Sequence, residues 1–87
     1  MAEVVIYRTP WCGYCVRVHH LLHAKGVPFK EVDVSQDADK RQWLFDVTRR
    51  RTVPQVFING NSVGGFDEVA RLDRSGELDR LLAQPAA

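Results

Sequence analysis

The sequence predicts an α/β domain with a four-stranded mixed sheet flanked by helices, in the order β-α-β-α-β-β-α-α. A short apolar run, an amphipathic stretch and a second β-branched run follow one another near the N-terminus, which is the pattern of a parallel β-α-β unit. The pair Asn59-Gly60 lies between two further β-like runs and predicts an antiparallel hairpin. Because 87 residues suffice for one small core, we expect a single domain over residues 1–87.

The first half of the chain supplies the β-α-β unit. Residues 4–7 are apolar and mostly β-branched, so they predict the first strand. Residues 13–25 are predicted to form a helix that ends at Gly26, because apolar side chains recur there at the spacing of one helical face. Those side chains are Cys15, Val18 and Leu22, with Leu21 beside them. Residues 29–34 predict the second strand from their β-branched content and their boundaries.

A second helix is expected to follow the second strand. Ser35 and Asp37 are candidate N-caps for a helix over residues 37–49. Its apolar residues Leu44 and Val47 are expected to face the core.

The rest of the chain predicts the hairpin and the last helices. Residues 56–58 form the third predicted strand, and Asn59-Gly60 returns the chain as an antiparallel strand over residues 61–63. Gly64-Gly65 ends that strand, and Asp67 is expected to cap the third helix. The last expected features are a break at Ser75-Gly76, core leucines at 78, 81 and 82, and a frayed tail over residues 84–87. This order of elements is the thioredoxin-like arrangement.

Composition excludes several function classes. Charged residues make up 26% of the chain and its formal net charge is +1, so we expect neither disorder nor nucleic-acid binding by bulk charge. No apolar stretch is long enough to span a bilayer, and the N-terminus lacks the pattern of a secretory signal peptide. We therefore expect a cytoplasmic protein, with no membrane partner, whose thiols are kept reduced.

The two cysteines lie in the segment Cys12-Gly13-Tyr14-Cys15, where the first strand gives way to a helix. A C-x-x-C pair at such a junction is typical of a redox motif. The thiolate is the reactive form, and free backbone N–H groups at a helix start stabilise a negatively charged sulfur. Cys12 is therefore expected to be exposed and to attack. Cys15, one turn into the helix on its buried face, is expected to keep its proton and to act as the resolving thiol.

The alternative for these cysteines is a structural zinc site. His19 and His23 continue the register of Cys15 at i+4 spacing. Zinc requires about four ligands at roughly 2.0–2.3 Å, whereas residues 12–23 span on the order of 16 Å of helix. One ion cannot collect all of them, so we predict no metal ligand here and assign His19, His20 and His23 to a solvated helix face.

The segment Thr52-Val53-Pro54-Gln55 precedes the third predicted strand. Proline cannot donate to a strand ladder and suits the first position of a strand. A cis Val53-Pro54 bond would turn the Val53 backbone toward the thiols, where its N–H and C=O could pair with an extended peptide. A trans bond would mark only the start of the strand, and the residues alone leave both possibilities open.

Two further segments offer binding groups for charged ligands. The segment Gly64-Gly65-Phe66-Asp67-Glu68 joins a turn to a helix N-terminus, which can bind a carboxylate through backbone N–H groups. Asp67 can pair with an ammonium at the same place. Arg41 and the arginines at 49–51 offer cations for a second carboxylate. Simple helix capping and a solvated helix end are the structural alternatives.

The chain resembles the bacterial dithiol glutaredoxins over nearly its whole length. A C-x-x-C pair alone is a weak signal, but three motifs in the family's order and spacing are specific. They are Trp11-Cys12-Gly13-Tyr14-Cys15, Thr52-Val53-Pro54-Gln55-Val56-Phe57-Ile58 and Gly64-Gly65-Phe66-Asp67-Glu68.

The resemblance implies a glutathione-dependent thiol–disulfide oxidoreductase that reduces protein–glutathione mixed disulfides and protein disulfides. Cys12 would take up glutathione as a disulfide and Cys15 would resolve protein disulfides, so the two form the redox disulfide. The resemblance also implies that Pro54 is cis and that glutathione contacts Tyr14, Arg41, Thr52, Val53, Pro54, Phe66 and Asp67.

Three residues depart from the family pattern. Gly13 stands where a proline is usual, which loosens the active-site turn. Thr9 stands where a basic residue is common, which removes one partner of glutathione and of the thiolate. Arg49 stands where a glycine usually closes the second helix, so either Arg49 adopts a positive φ or the helix ends differently.

Two other functions remain open at this point. Glutaredoxins that lack the active-site proline can hold a [2Fe–2S] cluster between two chains, and Gly13 raises this possibility with Cys12 as the ligand. The chain could also serve another thiol such as mycothiol or bacillithiol, since Cys-Gly-Tyr-Cys occurs in mycothiol-linked relatives. For the main hypothesis we expect a monomer whose partners are glutathione and glutathionylated or disulfide-containing proteins.

Overall fold

The computed structural model describes residues 1–86, and their strands form one mixed sheet with the order β2-β1-β3-β4. Strand β1 pairs with β2 in parallel and with β3 antiparallel, and β4 pairs antiparallel with β3. The elements are β1 (Val4–Arg8), α1 (Gly13–Ala24), β2 (Lys30–Asp33), α2 (Ala38–Thr48), β3 (Gln55–Ile58), β4 (Asn61–Gly64), α3 (Phe66–Ser75) and α4 (Glu77–Ala83). This is the thioredoxin-like arrangement that the element order predicts, with boundaries shifted by one or two residues.

The two faces of the sheet carry cores of different size. Alternate residues of β1 and β3 point to the larger core, where they meet α1, α3 and α4. Its fully buried members include Ile6, Val18, Leu22, Val56, Val69 and Leu78. The smaller core, on the other face, consists of Val34, Leu44 and Phe57 beneath α2. Helix α1 therefore rests on the well-packed face of the sheet.

For helix α2, the predicted burial of Val47 is wrong, whereas the burial of Leu44 and the N-cap at Asp37 are confirmed. Val47 does not face the core, because its side chain is 50% exposed, whereas Leu44 is buried. Asp37 is the N-cap, and its carboxylate accepts a hydrogen bond from the Lys40 N–H at 2.9 Å. The helix ends at Arg49, which adopts a left-handed conformation with φ 59° and donates its N–H to the Phe45 carbonyl at 2.7 Å.

The hairpin and the helix after it follow the chemistry of their turns. Asn59 and Gly60 both have positive φ, at 52° and 79°, which is the geometry of a tight two-residue hairpin. The prediction that Asp67 caps α3 is wrong, because the N-cap is Gly65, which has no side chain to form a capping hydrogen bond. Asp67 instead lies in the first helical turn, which leaves its carboxylate exposed.

The C-terminal tail contacts the hairpin. The side-chain amide of Asn59 donates to the Pro85 carbonyl at 2.9 Å, although the sequence predicts a frayed tail from residue 84. Ala87 lies outside the described residues. Over residues 1–86 no helix is both long enough and apolar enough to cross a membrane.

Candidate active site around the thiol pair

The sulfur of Cys12 lies at the N-terminus of α1. Cys12 is the N-cap residue of this helix, in extended conformation, and its Sγ accepts a hydrogen bond from the Cys15 N–H at 3.1 Å. The side chain is partly exposed. This contact satisfies one of the backbone N–H groups at the start of α1 that have no partner within the helix. The placement at a helix start is the one that the sequence predicts.

Cys15 lies one turn further along α1 in a different environment. Its side chain is fully buried, in line with Val18 and Leu22 on the same helix face. Burial raises the pKa of the Cys15 thiol to about 12, and its hydrogen bond to Cys12 adds to the increase. Both cysteines are free thiols. Cys15 therefore holds its proton at neutral pH and is shielded from solvent.

The loop before β3 lies directly against Cys12. The Val53–Pro54 peptide bond is cis, which decides the question that the residues alone leave open. The thiol of Cys12 is 3.6 Å from the Val53 carbonyl, to which it can donate. The amide of Gln55 is buried at the start of β3 and donates to the Thr52 carbonyl at 3.0 Å. Gln55 thereby fixes the turn that presents the Val53 backbone to the sulfur.

A groove of about 250 Å³ opens beside the thiols toward α3. We call it the α3 groove, and it is lined by Tyr14, Arg50, Thr52, Val53, Pro54, Gly65, Phe66, Asp67 and Glu68. The rings of Tyr14 and Phe66 lie 6.1 Å apart, with the guanidinium of Arg17 over both. A Cβ on Gly65 would lie 3.0 Å from the Pro54 carbonyl oxygen. A glycine at this position therefore lets the turn before α3 approach the cis-proline loop closely.

A second groove, of about 240 Å³, adjoins the first toward α2. This α2 groove is lined by Val34, Ala38, Arg41, Gln42, Leu44, Phe45, Arg50, Arg51, Thr52 and Val53. It shares Arg50, Thr52 and Val53 with the α3 groove. Of the residues predicted to contact glutathione, all line the α3 groove except Arg41, which lines the α2 groove. The two grooves therefore share Val53, whose carbonyl lies against the Cys12 sulfur.

The three histidines lie away from this site. His19 Nδ1 is 2.6 Å from the Glu31 carboxylate, and its ring stacks parallel to that of His23. Although partial burial alone raises the pKa of Glu31, its contacts with His19 and Arg8 hold that pKa below the ordinary value. Within residues 1–86, no three His, Cys, Asp or Glu side chains come together as a group that could hold a metal ion.

Sequence reasoning misses one pair of residues in the site. The sequence marks Arg50 only as one of several cations and Glu68 only as part of a motif. In the structure they form an ion pair across the α3 groove, between the loop before β3 and the first turn of α3. Residues that are 18 positions apart give no local signal of such a contact. The triple arginine run is the one available hint, and it does not say which arginine meets which acid.

Together these features define a class of protein. A thioredoxin-like sheet, two free thiols at a helix start and a cis-proline loop against the exposed sulfur form the site of a thiol–disulfide oxidoreductase. The two thiols differ in exposure, since Cys12 is partly exposed and Cys15 is buried.

Comparison with known proteins identifies the family. The glutaredoxin family model matches residues 4–63. The chain is 43% identical over 83 residues to a glutaredoxin from Pseudomonas aeruginosa, covering 95% of this chain and 99% of that protein. It is 44% identical over 82 residues to glutaredoxin 3 from Escherichia coli, covering 94% and 99% of the two chains. The chain therefore belongs to the glutaredoxin family, whose members are thiol–disulfide oxidoreductases.

Solved structures support the same assignment. A buckwheat glutaredoxin in complex with glutathione superposes with a TM-score of 0.86 at 34% identity, covering 93% of this chain and 76% of that one. A glutaredoxin from Brucella melitensis, solved in solution, superposes with a TM-score of 0.85 at 41% identity and covers 94% and 89% of the two chains.

Proposed function

We propose that this protein uses glutathione to reduce protein–glutathione mixed disulfides and protein disulfides. One observation carries the proposal. The Cys12 sulfur lies against the Val53 carbonyl, and Val53 lines both grooves. A short peptide thiol that spans the two grooves would therefore present its central cysteine to Cys12. The buckwheat relative in complex with glutathione is consistent with such a ligand.

The charges of the site suit the two ends of glutathione. The γ-glutamyl carboxylate would bind the free N–H groups at the start of α3, including that of Phe66, and the Asp67 carboxylate would pair with the ammonium. The glycyl carboxylate would lie near Arg41 in the α2 groove. Between them, the Val53 backbone would pair with the cysteine of glutathione as one strand pairs with another. Tyr14, Thr52 and Pro54 would complete the wall of the groove.

The first reaction needs Cys12 alone. Its thiolate attacks the glutathione sulfur of a mixed disulfide, a Cys12–glutathione disulfide forms, and the protein sulfur leaves as a thiolate that takes up a proton. The thiolate of a second glutathione then attacks the bound glutathione sulfur. This step releases glutathione disulfide and restores the Cys12 thiolate.

The second reaction needs both cysteines. Cys12 attacks a protein disulfide and forms a mixed disulfide with one substrate sulfur, while the other leaves as a thiol. Cys15 then loses its proton and attacks the Cys12 sulfur, which releases the second substrate thiol and closes a Cys12–Cys15 disulfide. Two glutathione molecules reduce that disulfide. The raised pKa of Cys15 keeps it from competing for the first attack.

Two variants test the assignment of roles. Cys12→Ser should abolish reduction of a glutathionylated peptide, since no other described thiol is exposed. Cys15→Ser should retain that activity and lose the reduction of protein disulfides. Retention of the rate in Cys12→Ser, or loss of all deglutathionylation in Cys15→Ser, would contradict the assignment.

A rate comparison tests which small thiol reduces the protein. Single-turnover reduction of the Cys12–Cys15 disulfide is measured with glutathione, mycothiol and bacillithiol at equal concentrations. The proposal requires glutathione to react fastest, because it alone carries a γ-glutamyl carboxylate and ammonium that match Asp67 and the start of α3. A faster reaction with mycothiol would support the alternative.

Cluster binding is a second candidate function, and one observation favours it. A side chain at Gly13 would meet no atom within 4 Å, so the space beside Cys12 is open to a cluster or to a second chain. Such a cluster needs four ligands, and each chain offers Cys12 alone because Cys15 is fully buried. Two chains and two glutathione thiols would therefore be required. Anaerobic reconstitution with glutathione tests this, and a colourless monomer rejects it.

The proposed partners and compartment follow from the chemistry. The protein would act as a monomer in a reducing compartment such as the cytoplasm, where glutathione is available and free thiols persist.

A further inference from the structure

The ion pair between Arg50 and Glu68 lies where the two grooves meet. Arg50 lines both grooves and Glu68 lines the α3 groove. A guanidinium nitrogen of Arg50 contacts a carboxylate oxygen of Glu68, with the two side chains 45% and 29% exposed. Their backbones belong to opposite walls, namely the loop before β3 and the first turn of α3.

The path of the Glu68 side chain is set by the turn before α3. A Cβ on Gly64 would lie 2.8 Å from the Cβ and Cγ of Glu68 and 2.9 Å from its Cδ. The side chain of Glu68 therefore folds back over the Gly64 backbone. Because of this path, its carboxylate stays beside the start of α3 and within reach of Arg50.

This carboxylate creates an electrostatic problem for the site. The first turn of α3 contains two acids, Asp67 and Glu68, at the place where the γ-glutamyl carboxylate would bind. One acid suffices for the ammonium of the ligand. A second negative charge would repel the ligand carboxylate and offset the attraction of the helix N-terminus.

We propose that Arg50 is a positioning residue that makes the start of α3 acceptable to a carboxylate by neutralising Glu68. This inference rests on the proposed function and adds to it a residue pair that sets the preference for glutathione over uncharged thiols. Arg50 acts through Glu68 and does not contact the reacting sulfur atoms. Arg49 and Arg51 do not serve this role, because each lies over the ring of Phe45 instead.

The test reads the stability of the Cys12–glutathione disulfide in a Cys15→Ser background, where that disulfide accumulates. The Cys12 thiolate attacks glutathione disulfide, one S–S bond forms at Cys12, and one glutathione thiolate leaves. The equilibrium constant is measured for glutathione disulfide and for hydroxyethyl disulfide, which has no charge. The ratio of the two constants reports the contacts with glutathione and cancels any change in the reactivity of Cys12.

Three added substitutions distinguish the possible roles of Arg50. We expect Arg50→Gln to lower the ratio about fivefold, as the loss of one partly exposed charge interaction does. Glu68→Gln should leave the ratio unchanged or raise it. The double variant should return to within about twofold of the parent, and these differences should shrink at high salt. Arg74→Gln, in the last turn of α3, removes the same charge far from the groove and should have no effect.

Each other outcome overturns the inference. A double variant as weak as Arg50→Gln would show that Arg50 contacts the ligand directly. An equal decrease of the ratio in Glu68→Gln and Arg50→Gln would show that the pair only holds the two walls of the groove together and that the charge of Glu68 has no effect on the ligand. An unchanged ratio in Arg50→Gln would show that the pair has no influence. If the parent itself prefers hydroxyethyl disulfide, the glutathione site fails and this inference fails with it.

Discussion

The two ends of the Cys12–Cys15 segment belong to different regions of the molecule although they are three residues apart. Cys12 lies at the exposed start of α1, beside two grooves and the cis-proline loop. Cys15 lies on the inner face of the same helix, over the larger core. The same side chain is thus partly exposed in one region and fully buried in the other. The comparison shows that the position of a cysteine along the helix, more than its residue type, sets its exposure to solvent.

The largest effect should come from loosening the inner face of α1. Leu22 is fully buried in the larger core, on the face that also buries Cys15. We expect Leu22→Ala to lower the free energy of unfolding by about 2–5 kcal/mol, from lost burial and the cavity that remains. Val16→Ala, on the exposed face of the same helix, is the matched control and should cost under about 0.5 kcal/mol. Urea denaturation measures both free energies of unfolding. An equal decrease in the two variants would contradict the difference in packing between the two faces of α1.

A smaller effect should appear at alkaline pH. Burial raises the pKa of Cys15 from 9.0 to about 12, so the folded protein keeps this proton where the unfolded chain loses it. The contribution to stability is complete below pH 9.0 and falls as the pH rises toward 12. The slope can reach about 1.4 kcal/mol per pH unit. We expect Cys12→Ser to lose stability more steeply above pH 9 than Cys12→Ser/Cys15→Ala, whose other titrating groups are the same. If the free energy of unfolding of the two variants fell equally with pH, the claim that folded Cys15 retains its proton would be contradicted.

The smallest effect concerns the two glycines at the ends of α1. Gly13 begins the helix, and a Cβ at this position would meet no atom within 4 Å, whereas Gly26, beyond the other end, has φ +72°. Gly13→Ala should therefore stabilise the protein by about 0.5 kcal/mol through helix propensity and a less flexible unfolded chain. Gly26→Ala should destabilise it by about 1 kcal/mol, because a side chain disfavours positive φ. Thermal unfolding measures both signs, and a loss in Gly13→Ala would show that the active-site turn needs a glycine.

The sequence predicts this molecule best where local rules act alone. The register of Cys15, Val18 and Leu22, and the tight turn at Asn59 and Gly60, depend on spacing and turn chemistry, and the structure confirms them. The left-handed φ of Arg49 is one of the two outcomes that the sequence leaves open for the end of α2.

Predictions fail where contacts between distant segments decide the outcome. Val47 is exposed because α2 buries only Leu44 against a small core. A residue slightly to one side of Leu44 on the helix surface therefore already faces solvent. Asp67 is not a cap, since the chain enters α3 through Gly65, earlier than the sequence suggests. The pairing of Arg50 with Glu68 depends on how two loops meet, which no local pattern encodes.

The central claim is that only one of the two thiols is available for attack, and differential alkylation tests it most directly. The reduced protein is treated briefly with iodoacetamide at about pH 7, where an ordinary thiol is mostly protonated. The labelled cysteine is located by mass spectrometry, with urea-unfolded protein as the control in which both thiols react. We predict labelling of Cys12 and none of Cys15, which is fully buried and holds its proton up to a pKa of about 12. Labelling of Cys15 at a rate equal to that of Cys12 in the folded protein would contradict the account.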